Sequence, residues 1–215
     1  MYSVAAPKYW SLYCHVGGTS DSSTGKTYGI GCRVGPGLIL TAAHVYKQHK
    51  SPAVLLGGGV WKCSVVKEWS NLDIALLKAD VLLKKMDEIE EPTDFPRLAD
   101  KTPTMGTSIG YIGSLKLMNE SGQKDGRTYF GQGHVAFFEK GLRGQNLVAI
   151  DGGAIEQGFS GGPAFTSDGV LCGVIVEALH FAPNPGSSAP RINPFPLVSP
   201  IAPINLELLT LLKEA

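Results

Sequence analysis

Short apolar runs, rich in β-branched and aromatic residues and stopped after a few positions by Gly, Pro or polar clusters, constrain this chain most. Trp10–Val16, Tyr28–Val34, Leu38–Thr41, Ala53–Leu56, Val60–Val66 and Asp73–Lys78 form a first series. Ser108–Ile112, Thr128–Phe138, Leu147–Asp151, Pro163–Phe165 and Val170–Glu177 form a second. Runs of this length and composition read as strands rather than helices. With 27 Gly and 14 Pro in 215 residues and no collagen-like period, the breakers mark tight turns. Gly57-Gly58-Gly59 is a hairpin signal between two runs.

Between the two series, Val81–Glu91 is charged and reads as a short helical turn or linker, followed by Pro92, Pro96 and Pro103. Ser121–Arg127 and Ala182–Pro190 read as exposed loops, and Arg127 and Arg143 as solvated loop cations. Ile204–Leu212 carries apolar residues at helical spacing and predicts a C-terminal helix packed on the body. The expected fold is all-β: two six-stranded antiparallel Greek-key β-barrels and a C-terminal helix. The expected units are a first lobe over 1–90, a linker and second lobe over 91–203, and the helix over 204–215.

Nineteen Lys+Arg balance nineteen Asp+Glu, which lacks the basic excess of a nucleic-acid binder. At 43% hydrophobic and 18% charged, the chain is not compositionally disordered. No apolar stretch reaches the roughly 18 residues of a membrane span, and the N-terminus lacks the basic and apolar regions of a secretory signal. A cytoplasmic location is the expectation. Cys14, Cys32, Cys63 and Cys172 show no CxxC pairing and lie in or beside apolar runs, so they read as buried reduced thiols. His15, His49, His134 and His180 lack metal-ligand spacing, and no metal or other cofactor is expected.

Three segments carry chemistry. In Leu38-Ile-Leu-Thr-Ala-Ala-His44-Val an imidazole follows an apolar strand through two small residues. In Asn71-Leu-Asp73-Ile-Ala-Leu-Leu77 a carboxylate opens an apolar strand, where burial without a partner is costly. In Gln157-Gly-Phe-Ser160-Gly-Gly-Pro163 a hydroxyl sits among glycines that permit close backbone approach. Taken singly, His44 reads as a structural histidine, Asp73 as a cap and the serine segment as a tight turn. Taken together, they are the nucleophile, base and orienting acid that an activated serine requires.

TAAH at 41–44, DIALL at 73–77 and GFSGGP at 158–163, in the order His, Asp, Ser, resemble the trypsin-like, chymotrypsin-fold serine peptidases. The short His-to-Asp interval is closest to compact bacterial members, such as the HtrA-type protease domain, here without a PDZ module. The resemblance implies Ser160 as nucleophile, His44 as general base and Asp73 as its orienting partner. The amides of Gly158 and Ser160 would form the oxyanion hole. Ala154, six residues before Ser160, falls at the base of the specificity pocket, with Val174, Ile175 and Val176 along its wall. That implies peptide or protein substrates and a small or medium apolar P1 residue, unless Glu156 or Glu177 points inward. A protein regulator or an oligomer is left open, and Asp151 reads equally as a cleft or a turn residue.

The sequence also departs from the family. Phe159 precedes the serine where many relatives have Asp or Asn. No Ile-Val-Gly-Gly-like activation site precedes the first strand, so zymogen cleavage is not expected. Val45 follows His44 where secreted animal members have Cys, and Cys32 lacks the usual disulfide partner. The competing reading is a catalytically silent or latent relative that acts as a binding or effector-gated module.

Overall fold

In the computed structural model, the described residues are 12–18, 27–56, 59–85, 94–118, 124–152, 155, 158–179 and 195–214. The first series forms β1 (Tyr13–Gly18), β2 (Thr27–Gly35), β3 (Leu38–Ala42), β4 (Pro52–Leu56), β5 (Gly59–Trp69) and β6 (Ile74–Lys85). They close into an antiparallel barrel in the order β1-β2-β3-β6-β5-β4. The second series forms β7 (Ser108–Met118), β8 (Lys124–Lys140), β9 (Asn146–Ile150), β10 (Pro163–Thr166), β11 (Leu171–Leu179) and β12 (Phe195–Pro200). They close in the order β10-β11-β12-β9-β8-β7. In each barrel the third strand pairs with the sixth, which is Greek-key connectivity.

Several elements differ from the sequence expectation. Val81–Lys85 is strand rather than helical turn, because β6 runs on beside β5 with Lys62 opposite Val81 and Trp61 opposite Leu82. Val81, Leu82 and Leu83 there are about half exposed, so pairing rather than burial holds the segment extended. Residues 124–127 belong to β8, paired to β7, and not to a loop. β12 has no counterpart in the predicted series; despite Pro196 and Pro200, the strand pairs with both β11 and β9. The remainders of the predicted segments, at 86–91, 121–123 and 182–190, lie outside the described residues.

Burial explains the unbroken apolar runs in β9, β11 and β12. Ile175, Val148 and Val198 cluster inside the second barrel with Tyr111 and Ile150. Their strand neighbours Val174, Val176, Leu147 and Leu197 join a cluster containing Ile30, Leu40 and Leu76 of the first barrel. These strands are therefore apolar on both faces, and a strand buried on both faces loses the polar alternation.

Helix α2 (Asn205–Glu214) follows a 3-10 turn at Ala202–Ile204. It buries Leu208 completely. Glu207 on it accepts a hydrogen bond from Trp69 Nε1 at 2.6 Å and pairs with Lys67 at 2.7 Å, which ties the C-terminus to β5 of the first barrel. All four cysteines are unpaired and buried. Among the described residues no helix is long and apolar enough to cross a membrane.

Candidate active site

His44 lies on a five-residue helix, α1 (Ala43–Lys47), that follows β3 directly. A helix this short leaves its amides without internal acceptors, and Asp73 at the start of β6 supplies them. The Asp73 carbonyl accepts from the Ala43 amide at 2.8 Å. Its Oδ1 accepts from the His44 amide at 2.9 Å, and its Oδ2 meets His44 Nδ1 at 2.6 Å. The two oxygens of one carboxylate thus contact the His44 amide and the His44 ring together. Asp73 adopts φ +56°, and it is the sole non-glycine residue with positive φ among those described. Asp is one of the few types that tolerates this region.

The carboxylate is 3% exposed. Burial alone would raise its pKa, but hydrogen bonds and charge from His44 and Arg143 outweigh burial and hold it below the usual carboxylate range. Arg143 is a correction to the sequence reading: its Nη1 is paired with Asp73 Oδ1 instead of standing free in solvent. It comes from the β8–β9 turn of the other barrel.

The far end of α1 is held by a second carboxylate. Tyr46 Oη and Lys47 Nζ both donate to Glu68 on β5, Lys47 at 2.5 Å. Burial opposes ionisation there too, yet hydrogen bonds from Lys47, Ser70 and Tyr46 bring the Glu68 pKa from 4.5 down to about 2. The folded state thus binds fewer protons than the unfolded chain in this window, so unfolding gains as the pH drops. Melting temperature is expected to be flat above about pH 4.5 and to fall towards pH 2, with a shallower fall in Glu68→Gln.

The serine segment bridges the barrels. Phe159 is 1% exposed and stacks with Tyr129 and Tyr111 at 5.7 and 6.4 Å between ring centres, so it is fixed inside the second barrel. The next residue belongs to the seam: the Ile30 amide of β2 donates to the Ser160 carbonyl at 2.9 Å. A Cβ on Gly29 would stand 2.6 Å from that carbonyl and 2.7 Å from Val45, the neighbour of His44. Gly29 of β2 therefore lies beside both the Ser160 carbonyl and the element that carries His44. Among the described residues no hydrogen bond joins Ser160 Oγ to His44, and such contacts often tighten only when substrate binds. Gly158 has φ +111°, and a Cβ there would lie 2.8 Å from the Ser114 carbonyl, so only glycine fits. Among the described residues the Gly158 and Ser160 amides donate to no backbone acceptor.

The remaining predicted positions are distributed as follows. Val174, Ile175 and Val176 are all buried. Ala154 and Glu156 lie outside the described residues. The Glu177 carboxylate accepts from the Leu142 amide at 3.2 Å and from Gln145 Nε2 at 3.2 Å, so it is engaged by the β8–β9 turn. Asp151 accepts from the His134 amide of β8 and lines a cavity there with Gln132, Gly133 and His134.

The trypsin-like peptidase domain model matches residues 29–174, a span that includes the His44, Asp73 and Ser160 motifs. The chain belongs to the trypsin-like peptidase family. The domain resembles the MamO protease domain from Magnetospirillum magneticum in its apo form, at 20% identity and a TM-score of 0.64, covering 93% of this chain and 97% of that one. It also resembles Rv3671c from M. tuberculosis H37Rv, an inactive serine-to-alanine mutant, at 16% identity and a TM-score of 0.63, covering 98% and 90%. A serine endoprotease from Yersinia pestis aligns at 21% identity and a TM-score of 0.63, covering 100% of this chain and 67% of that one. No curated protein matches the sequence. At these identities the structural likenesses establish the double-barrel peptidase fold.

Proposed function

We propose that this chain is a serine endopeptidase that works through Ser160, His44 and Asp73. The observation that carries the reading is the His44–Asp73 hydrogen bond at 2.6 Å, with Gly29 of β2 lying beside both the Ser160 carbonyl and Val45, the neighbour of His44. In this mechanism Ser160 Oγ attacks the substrate carbonyl while His44 Nε2 takes its proton. Asp73 keeps the proton of the resting imidazole on Nδ1, so that Nε2 is free to accept. The tetrahedral oxyanion is held by the Gly158 and Ser160 amides; losing one such donor costs ~3 kcal/mol in the transition state. His44 then protonates the leaving amine, and water hydrolyses the acyl-enzyme by the same path in reverse.

The resemblance assigns Ala154, six residues before Ser160 in the sequence, to the base of the specificity pocket, and a small residue at that position favours a small or medium apolar P1 side chain. The engagement of Glu177 with the β8–β9 turn supports this, because it removes one candidate counter-charge for a basic P1 residue. A P1 peptide library should show cleavage after apolar residues; dominant cleavage after Arg or Lys would reject the pocket assignment. Four unpaired thiols fit a protein that works in reducing surroundings.

A fluorophosphonate probe tests the central claim. The wild type should be labelled on Ser160 and should hydrolyse peptide, and Ser160→Ala should do neither. A folded wild type that stays unlabelled with and without peptide would refute the enzyme in favour of a silent binding module.

A further inference from the structure

The β8–β9 turn carries more structure than a connection of its length needs. Gly141 donates to the Gln145 carbonyl at 2.9 Å, and Gly144, at φ +76°, donates to the Gly141 carbonyl at 2.9 Å. The Arg143 amide donates to Gln145 Oε1 at 3.0 Å. Glu177 of β11 then fastens the turn from outside through Leu142 and Gln145. The backbone around Arg143 is thereby fixed, although Leu142 beside it is 93% exposed. Arg143 itself crosses from the second barrel to Asp73 of the first.

The carboxylate it reaches is nearly buried and, among the described residues, has one other side-chain partner, the imidazole of His44. While that imidazole is neutral, the buried anion has no opposite charge on the His side, and a buried charge is costly without one. Arg143 supplies the opposite charge. It also engages Oδ1 while the imidazole takes Oδ2, which restrains rotation of the carboxylate and leaves Oδ2 for Nδ1.

We infer that Arg143 is a positioning residue of this peptidase: held by Glu177, it locks Asp73 in the orientation that fixes His44. This rests on the serine-peptidase reading given above. It also makes β11, the strand of Val174–Val176, a mechanical support of the acid, because Glu177 lies on the same strand.

The test compares wild type with Arg143→Gln, Arg143→Lys and Glu177→Ala in two readouts. In the first, the proton of the His44 Nδ1–Asp73 hydrogen bond is followed by its far-downfield NMR resonance, which needs no turnover. Arg143→Gln and Glu177→Ala should broaden or lose it, and Arg143→Lys should keep it, since the contact uses a single nitrogen that an ammonium can replace. In the second, Arg143→Gln should lower kcat about tenfold, with KM within about threefold, and Arg143→Lys should recover most of the loss. A thermal melt shows that each variant is folded. A wild-type resonance and wild-type kcat in Arg143→Gln would overturn the inference, as would a loss that Lys does not recover. A wild type without peptidase activity would instead remove the reading on which it rests, and the resonance comparison would still decide whether Arg143 holds the pair.

Discussion

Asp73→Asn is expected to lower kcat by about 10⁴-fold while the protein stays folded and KM changes little, if Asp73 orients His44 as proposed. The argument follows from the two sides of this residue. Oδ1 faces two donors, the His44 amide and Arg143, so the amide oxygen of an asparagine takes that place. The NH2 group is then left facing His44 Nδ1, where Oδ2 stood at 2.6 Å. An amide donor there requires Nδ1 to be the acceptor and moves the ring proton to Nε2, the atom that receives the serine proton in the proposed mechanism. Asparagine also tolerates the left-handed backbone and caps a helix well, so the fold survives. Steady-state kinetics beside a thermal melt check the expectation; a folded Asp73→Asn protein with full kcat would show that His44 does not need this acid.

Gly161→Ala strikes the seam instead of the chemistry. Gly161 has φ +87°, and a Cβ there would lie 1.8 Å from the Ile30 carbonyl and 2.4 Å from Thr41 Oγ1. Neither can yield: Thr41 Oγ1 already donates to the Ile30 carbonyl at 2.7 Å. Gly161 in turn donates to the Ile175 carbonyl at 2.8 Å. The added methyl must push the serine turn off β2 or force the barrels apart. A loss on the order of 3 kcal/mol is expected, or roughly 6–12 °C in Tm for a chain of this size. Labelling of Ser160 should be lost with it, even below the melting range. A variant with wild-type Tm and labelling would show that the seam is not held at this point.

The two barrels were legible because the strand runs are short, apolar and punctuated. β12 was not, because Pro196 and Pro200 signal a break in local terms and the pairing that overrides them comes from β9 and β11, distant in sequence. Residues 81–85 misled for the opposite reason. They open the charged segment Val81–Glu91, whose composition suits a helix or linker, and the facing strand β5 holds them extended. The His44–Asp73 contact could be expected from the order and flanks of two motifs. The part played by Arg143 could not: it stands in a Gly-flanked turn like any solvated arginine, and its partner lies 70 positions away across the seam. The Gly-Leu-Arg-Gly-Gln composition announces a tight turn and carries no sign of where the guanidinium goes.

The placement of the cysteines gives the molecule an internal reporter. Burial lifts the thiol pKa of Cys14, Cys63 and Cys172 to about 12, and that of Cys32 well above its usual value, so hardly any thiolate exists in the native protein. An alkylating reagent can therefore reach sulfur only through transient opening. Three of the four tags would mark exposure of the histidine-bearing half and the fourth that of the serine-bearing half. Mass spectrometry of each modified peptide over time would reveal whether the halves breathe together or one at a time.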